Sequence, residues 1–545
     1  MTFNVIYDDV LLNIFHHCLD TSPRSWPDLA HVCRGWRQIV LTSALGLNLR
    51  LFCSYGTPVL KSLDCWPELP IVVQYGGVPN LYPPAPEDDE NIVAALMQSG
   101  RVTSISLTVT DSFLEKLSTI PISEPFSKLE ELVLLSQDKK QLTLPRTFRW
   151  GPGLRTLHSI RVAFPLFPQL LLPSKDLVDL QFHEIPIAGY FAPDSFANAL
   201  SEMANLQSLS LYFLSLPSRQ ECFRFPLPSE ERVMLSALRC LKYRGTSMYL
   251  DSFVARIDAP RLEDIDVTLF NQPTIDASQL GLFIERIEAQ SSLSQANIQN
   301  STNAISISFT NLNSSTLLRL QISCQQLDWQ LFCMAQVCDQ FSPFINRVEK
   351  LGINTTQSPS GQNGIDGALW LEIVRSFKGA RDFRVADELT TDILCALGPA
   401  DGGAISLPFL RHLVVENPLV MKDSSWDALQ SFVTSRLLSG SPVQADVPLF
   451  QCRVGFRRQQ GLEHHLVDNR AYRTMCSYCS DFECTLGHKG LFLDHLESEH
   501  PEVALHDPPI SGRRLRRLRY LRNNRELEIL VNLHCSLRAP DTVTV

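Results

Sequence analysis

The stretch that decides the fold reads Leu129-Glu130-Glu131-Leu132-Val133-Leu134. An apolar residue is followed by two residues of any kind, a second apolar residue, one residue of any kind and a third apolar residue. The closing alternation predicts a short strand, because alternate side chains of a strand point to the same face. The leading leucine is expected to cover the turn before that strand.

The same pattern returns at intervals of about 23 to 32 residues, a period typical of leucine-rich repeats. Its copies begin at Val102, Leu129, Leu154, Leu177, Leu206, Leu238 and Leu262, with later copies at Val348 and Leu410. One repeat cannot bury its apolar face alone, so neighbouring repeats are expected to stack. The sequence therefore predicts an α/β fold with an irregular leucine-rich-repeat solenoid over 91–435. The alternative is a generic α/β domain in which leucine-rich strands recur by chance.

The segments between the strands complete this prediction. Helix-like stretches are expected at 111–117, 193–203 and 279–287, on the side of the solenoid away from the strands. Residues 51–90 are interpreted as a connector with one short strand, closing on a polar, proline-rich break at 81–91. The polar segments 285–304 and 355–367 are interpreted as loops.

The first 50 residues predict two amphipathic helices. The apolar residues of the first recur at helical spacing from about Asp8 to Leu19, and Ser22-Pro23 then breaks the chain. The second helix is expected to begin at Trp26-Pro27 and to carry one apolar stripe, formed by Leu29, Val32, Cys33, Trp36 and Val40. Two short helices with such large apolar faces cannot bury them against each other alone, so a partner is expected.

The signature Val32-Cys33-Arg34-Gly35-Trp36-Arg37, preceded by an apolar helix at this interval, resembles the F-box. Ile6-Tyr7 stand where that family has Leu-Pro. The resemblance implies that 1–50 form a helical module that docks on the Skp-type adaptor of cullin–RING ubiquitin ligases. The expected adaptor contacts are Val10, Leu11, Ile14, Phe15, Val32, Cys33 and Trp36. The alternative is an ordinary helical hairpin that packs on the following domain.

Residues 1 to about 435 also resemble a large group of fungal F-box proteins with degenerate leucine-rich repeats. The phrases that carry this likeness are Leu47-Asn48-Leu49-Arg50-Leu51, Thr57-Pro58-Val59, Leu63-Asp64-Cys65-Trp66-Pro67 with Leu69-Pro70, and Val254-Ala255-Arg256-Ile257-Asp258-Ala259-Pro260. The resemblance implies an architecture and leaves the target protein open.

A predicted metal site follows the repeats. Cys476-x2-Cys479 precedes His495-x4-His500 by fifteen residues. Two thiolates from a tight turn and two imidazoles about one helical turn apart make a tetrahedral set for one structural Zn²⁺. The alternative is that these are free thiols and surface histidines.

The segment 474–501 resembles a Cys2His2 zinc finger, which implies a small ββα module with Phe482 and Phe492 in its core. Its central interval is longer than the usual twelve residues, and Cys484 and His488 lie inside it as spare ligands. The region begins near 446 with a degenerate copy around Cys452 and His465, which offers two ligands only and is not expected to hold a metal. The whole zinc-finger region is placed at 446–505.

Residues 506–545 are predicted to form a basic helical tail. Arginines recur from Arg513 to Arg525, and the leucines between them fall near one helical face. Such a helix suits docking on an acidic face of the same chain, and it also suits phosphates, as in nucleic acid. Both interpretations stay open.

Composition bounds the function. The chain of 545 residues has a formal net charge of −10, which argues against a protein that coats nucleic acid. No signal-peptide pattern or long apolar run is seen, so we expect a cytoplasmic or nuclear protein that contacts no membrane. No phosphate-binding loop, nucleophile elbow or metalloprotease motif is found, which favours a protein that is not an enzyme.

The sequence thus predicts a substrate-recognition subunit of a Skp–cullin–F-box ubiquitin ligase, with an unknown target protein held by the repeats. The alternative is a nucleic-acid-associated or scaffolding protein that acts through the zinc finger and the arginine-rich tail. A single finger reads only about three base pairs, which makes sequence-specific DNA recognition the less favoured role.

Overall fold

The computed structural model describes residues 7–66, 68–75, 86–120, 124–136, 142–146, 148–164, 167–214, 232–288, 293–311, 316–355, 367–397, 406–416, 423–446 and 466–467. The chain forms two compact units. The first comprises 1–351 and 364–379, and the second comprises 352–363 and 380–545. The predicted zinc ligands and the arginine-rich tail lie outside the described residues.

The helices are α1 (Asp8–Thr21), α2 (Trp26–Val32), α3 (Arg34–Thr42), α4 (Val59–Cys65), α5 (Pro86–Leu96), α6 (Asp111–Thr119), α7 (Pro193–Leu200), α8 (Ser247–Val254), α9 (Ser278–Glu285), α10 (Leu327–Gln340), α11 (Ser342–Ile345), α12 (Gly367–Arg375), α13 (Asp387–Leu397) and α14 (Asp423–Leu438). Three of them, α6, α7 and α9, lie at the positions where the sequence predicts helices between strands.

The strands are β1 (Leu51–Ser54), β2 (Ile71–Tyr75), β3 (Val102–Val109), β4 (Glu131–Ser136), β5 (Leu142–Thr143), β6 (Thr156–Ile160), β7 (Val162–Ala163), β8 (Asp179–Ile185), β9 (Ser208–Phe213), β10 (Val233–Met234), β11 (Cys240–Gly245), β12 (Ile257–Asp258), β13 (Asp264–Leu269), β14 (Leu293–Asn300), β15 (Ala304–Asn311), β16 (Thr316–Ser323), β17 (Lys350–Thr355), β18 (Asp382–Ala386), β19 (His412–Glu416), β20 (Gln444–Asp446) and β21 (Leu466–Val467).

The repeated sequence pattern becomes a ladder of paired residues in the first unit. From β1 through β2, β3, β4, β6, β8, β9, β11 and β13, each strand pairs in parallel with the next. The second apolar residue of each copy pairs in register with its counterpart, and all are fully buried: Ile105, Leu132, Leu157, Leu180, Leu209, Leu241 and Ile265. This mixed α/β architecture, with its large parallel sheet, is compatible with a leucine-rich-repeat-like solenoid.

The sheet starts earlier than the predicted solenoid boundary at residue 91. Residues 51–75, interpreted as a connector with one strand, supply both β1 and β2. The proline-rich segment at 81–91 is also not all irregular, since α5 begins at Pro86, where a proline suits the first turn of a helix.

The prediction of a loop over 285–304 is wrong for its strand-forming part. Residues 293–300 form β14, which pairs antiparallel with β15, and β15 pairs antiparallel with β16. Only β16 returns to lie parallel beside β13. The polar residues alternate with buried Ala296 and Ile298, so the segment is a strand with one face toward solvent. The second predicted loop, at 355–367, falls mainly on residues outside the described ranges.

The prediction of one continuous second helix is also wrong. The chain leaves helical geometry at Cys33, where φ is −158° and ψ is 170°, and α2 ends there while α3 begins. The Cys33 Sγ accepts a hydrogen bond from the Trp36 backbone N–H at 3.4 Å and thereby caps α3. Val32 and Val40 consequently do not share one stripe, since Val32 is exposed and Val40 is buried.

No helix among the described residues is both long enough and apolar enough to cross a membrane.

Candidate functional site

The N-terminal helices are held together by one set of their apolar side chains. Leu11, Phe15 and Leu19 form the buried face of α1, and Val40 is the buried residue of α3. The Phe15 and Trp36 rings meet edge to face with centroids 4.9 Å apart. This contact joins α1 to α3.

A second set of contacts fixes the helices to the start of the sheet. Trp26 is buried and its indole N–H donates to the Arg50 carbonyl at 2.7 Å, immediately before β1. The Trp26 ring also contacts Trp66 edge to face, with centroids 4.7 Å apart. The Arg24 guanidinium lies over the Phe52 ring. The module is therefore anchored on the side of α2 that carries Trp26.

Other apolar side chains of the module are uncovered. Val10 is 47% exposed, Ile14 is 43% exposed and Val32 is 60% exposed. Tyr7 and Cys33 are exposed as well. Ile14 precedes Phe15 in α1, and Cys33 lies three residues before Trp36, so these exposed residues are close in sequence to the two rings that join α1 to α3. We call Tyr7, Val10, Ile14, Val32 and Cys33 the N-terminal apolar surface.

The seven residues predicted to contact an adaptor therefore divide into two groups. Val10, Ile14, Val32 and Cys33 belong to the N-terminal apolar surface. Leu11 and Phe15 are buried in the module, and Trp36 is half-buried against Phe15. Helical spacing in the sequence predicts that both groups are apolar but does not distinguish them. The packing of α1 on α3 shows which residues are buried and which are exposed.

In the strand ladder, the face opposite the buried leucines carries a row of polar residues that the sequence pattern did not lead us to predict. It consists of the residues between the two closing apolar positions of successive copies, and we call it the central sheet face: His158, Gln181, Ser210, Lys242, Asp266 and Arg319. The signal was present in the sequence, because the residue between two buried strand residues must point to the other side.

Asp179, His183 and Tyr212 lie at alternate positions from Gln181 and Ser210 on the same strands, and hydrogen bonds and ring stacking connect this part of the central sheet face. His158 Nε2 lies 2.7 Å from Asp179 Oδ2, and the Gln181 side-chain amide donates to the same oxygen at 2.9 Å. The His183 and Tyr212 rings stack with centroids 4.4 Å apart and an interplanar angle of 11°. The face thus presents fixed donors, acceptors and one flat ring surface.

Charges on this face perturb one another. Burial works to raise the pKa of Asp179, but hydrogen bonds from His158, Ser208 and Gln181 outweigh it and lower that pKa below its usual value. Burial, with the positive charge of Lys242 and the neighbouring His158, lowers the pKa of His183. At Asp266, burial raises the pKa against the opposing effect of Arg319.

A cavity of about 660 Å³ opens at the N-terminal ends of the strands β3, β4, β6, β8 and β9. Its lining carries both signs of charge, from Lys128, Glu130, Arg155 and Asp176. All four residues are exposed, so this cavity is a shallow polar extension of the strand edge.

Cys476, Cys479, His495 and His500, the predicted zinc ligands, lie outside the described residues. Within the described ranges, no three histidine, cysteine or acidic side chains are grouped in a way that suits a metal ion. The zinc site stays a prediction.

Neither a family model nor a curated protein sequence matches this chain. Among solved structures, a leucine-rich-repeat protein from Leptospira interrogans is similar with a TM-score of 0.27 and 13% sequence identity. The similarity covers 79% of this chain and 98% of that one.

Proposed function

We propose that the protein is the substrate-recognition subunit of a Skp–cullin–F-box type ubiquitin ligase. The observation that carries this proposal is the N-terminal apolar surface, where Val10, Ile14 and Val32 stay uncovered on helices that are otherwise well packed. An uncovered apolar cluster costs free energy in water, at roughly 25 cal/mol per Å² relative to burial. A docked partner removes that cost.

The proposal assigns different tasks to adjacent residues. Phe15 and Trp36 hold α1 and α3 in place, and the neighbouring Ile14 and Cys33 face the adaptor. The alternative is an ordinary helical hairpin that packs on the following domain. Trp26 already fixes the helices to the following strand through its bond to Arg50, so the N-terminal apolar surface is not needed for that attachment.

The target protein is assigned to the repeats, and within them to the central sheet face. Its half-buried charged groups, Lys242 and Asp266, lie in direct register on adjacent strands. Partly desolvated polar groups of fixed geometry favour a partner whose own donors and acceptors complement them. The protein would act by proximity, holding its target near the charged conjugating enzyme, with other subunits performing the transfer of ubiquitin.

The test is binding of the full chain to a recombinant Skp-type adaptor. Ile14→Asp places a charge in the N-terminal apolar surface and is expected to weaken binding by about 30-fold or more, as hot-spot changes at interfaces do. Leu60→Asp is the matched control. Leu60, like Ile14, is an exposed aliphatic residue on a helix, and its helix, α4, is not part of the N-terminal apolar surface. It should bind like the parent.

Two outcomes contradict the proposal. Either the parent chain does not bind the adaptor, or the Ile14 and Leu60 variants bind it equally well. In the first case the arginine-rich tail becomes the place to test, by measuring whether the chain binds nucleic acid with the salt dependence expected of phosphate contacts.

A further inference from the structure

A second row of outward-facing side chains crosses the strand ladder, two residues after the central sheet face on the strands that the two share. One residue comes from each of five successive strands, and we call them the strand-end row: Leu135 in β4, Ile160 in β6, His183 in β8, Tyr212 in β9 and Arg244 in β11. Leu135 pairs in register with Ile160, and Ile160 pairs with His183. The stacked His183 and Tyr212 rings join β8 to β9, and Tyr212 pairs in register with Arg244. The five side chains therefore form one continuous surface.

The chemistry of the strand-end row changes from one end to the other. Leu135 and Ile160 present half-buried aliphatic side chains. The two stacked rings follow, and Arg244 closes the row with an exposed guanidinium. Neighbouring strands lie about 4.8 Å apart, so about 14 Å separates Ile160 from Arg244. The row is thus aliphatic, then aromatic, then cationic over a length that a short peptide can span.

The cationic end of the row has more positive charge than the chain itself neutralises. Within the described part of the chain, no carboxylate oxygen lies within 4 Å of a side-chain nitrogen of Lys242, Arg244 or Arg319. The Arg244 guanidinium lies over the Phe270 ring, 5.8 Å from its centroid. Asp266 is in register with both Lys242 and Arg319. One carboxylate among three cations leaves an excess of positive charge, which suits an acidic partner.

Two acidic groups at the start of the same strands already have partners. Asp179 accepts a hydrogen bond from the Gln181 amide and lies 2.7 Å from His158 Nε2. The Glu131 carboxylate accepts a hydrogen bond from the Ser104 hydroxyl at 2.8 Å. This sheet face therefore offers unpaired donors at the strand ends, while these acceptors at the strand starts are occupied.

We propose that the strand-end row binds an extended segment of the target protein that carries apolar side chains at one end and carboxylates at the other. The inference rests on the proposed function, which assigns the target to this sheet. Leu135 and Ile160 contact the apolar end, and the carboxylates bind Arg244, with Lys242 and Arg319 beside it. An extended chain advances about 3.4 Å per residue, so about four residues separate the two ends of the bound segment. A basic segment would bring like charges together at Arg244, which is unfavourable.

The experiment measures the fluorescence anisotropy of labelled synthetic peptides with the full chain. The probe is an extended peptide of about ten residues, with leucines at one end and glutamates at the other, made in both chain directions. A scrambled peptide of the same composition and a peptide with lysines in place of the glutamates are the comparison probes. One direction of the glutamate peptide should bind the parent at least about tenfold more tightly than the scrambled peptide, because the row is ordered.

Charge reversal in the chain separates a lost contact from a lost fold. Arg244→Glu combined with Arg319→Glu should weaken binding of the glutamate peptide by about tenfold or more and strengthen binding of the lysine peptide. An unfolded chain would not gain that second affinity. Arg261→Glu is the matched control, because Arg261 is also an exposed cation and lies between β12 and β13, outside the row. It should bind both peptides as the parent does.

Three results would overturn the proposal. The parent binds none of the peptides, it binds the ordered and scrambled peptides equally, or the Arg261 variant loses as much affinity as the double variant. A dimer of the parent that the double variant dissociates would assign the row to a second copy of this chain, and would overturn it as well. Adaptor binding is measured on the same preparations. A parent that binds the adaptor but no peptide contradicts this inference alone, whereas one that binds the peptide but no adaptor contradicts the proposed function.

Discussion

Phe15 and Trp36 form the contact that defines the N-terminal module, with ring centroids 4.9 Å apart and an interplanar angle of 63°. Phe15 is fully buried, whereas Ile14 beside it is exposed. Two consecutive residues of α1 therefore have different environments: Phe15 packs inside the module, and Ile14 lies on its surface. The distinction can be tested without knowing any partner.

Phe15→Ala and Ile14→Ala are expected to differ sharply in their effect on stability. Truncating a buried phenylalanine should lower the free energy of unfolding by about 3–5 kcal/mol, because it removes apolar contacts and leaves a cavity. Truncating exposed Ile14 should change it by no more than about 0.5 kcal/mol. Urea denaturation followed by tryptophan fluorescence measures both. Similar losses in the two variants would mean that Ile14 is also packed.

The sequence was sufficient to place the strands of the repeats and the inward-pointing residues. The apolar alternation at Leu132 and Leu134 recurs in the other copies except the one that begins at Leu154, where Ser159 takes the last apolar place, and one face of a strand is buried by its neighbours. Both residues are buried as that pattern requires.

The break at Cys33 and the strands at 293–311 could not be predicted in the same way. At the break, the Cys33 thiol accepts a hydrogen bond from the Trp36 amide and caps the start of α3, and cysteine is not a usual capping residue. The polar strand β14 is stabilised by its pairing with β15, a tertiary contact that overrides a loop-like composition.

Gly245 in β11 leaves space that the Tyr243 and Phe213 rings occupy. A Cβ at this position would collide with Tyr243 Oη, and would lie 2.8 Å from Tyr243 Cζ and 3.0 Å from Phe213 Cδ2. Tyr243 is fixed because its hydroxyl donates to the Thr246 carbonyl at 2.8 Å. Gly245→Ala should lower the free energy of unfolding by about 1–3 kcal/mol through overpacking.

The control for this overpacking is Gly100→Ala, since a Cβ on Gly100 would meet no atom within 4 Å. It should leave the melting temperature within about 2 °C of the parent value. If the Gly245→Ala and Gly100→Ala variants have the same melting temperature, the Tyr243 ring is free to move aside.

The pKa of His183 reports the electrostatic environment of the central sheet face. Burial, His158 and Lys242 lower its pKa, so its NMR titration should have a midpoint below that of an exposed histidine. Lys242→Gln removes a positive charge and should raise the midpoint. Arg239→Gln is the control, because Arg239 pairs with Glu263 at 2.6 Å and is not among the charges that act on His183. A midpoint unmoved by Lys242→Gln would contradict the placement of that ammonium group.

Asp251 links pH to the stability of the helices behind the sheet. From α8 its Oδ1 accepts hydrogen bonds from the amides of Gln279 at 2.7 Å and Leu280 at 3.0 Å, and so caps α9. Burial, helped by Asp276, raises the pKa of Asp251 to about 6, although these hydrogen bonds oppose the rise. The folded chain therefore keeps a proton that the unfolded chain releases near pH 4.

Because the folded state binds the extra proton between about pH 4 and pH 6, this carboxyl makes the free energy of unfolding fall as pH rises through that window. Its stabilising contribution is complete below the window and lost above it. Asp251→Asn keeps an oxygen acceptor for α9 but cannot ionise, so it should be more stable than the parent above pH 6 by about 1–3 kcal/mol. Urea denaturation of both chains from pH 4 to pH 7 measures the difference. A gap that stays constant across this range would mean that Asp251 ionises equally in the folded and unfolded chain.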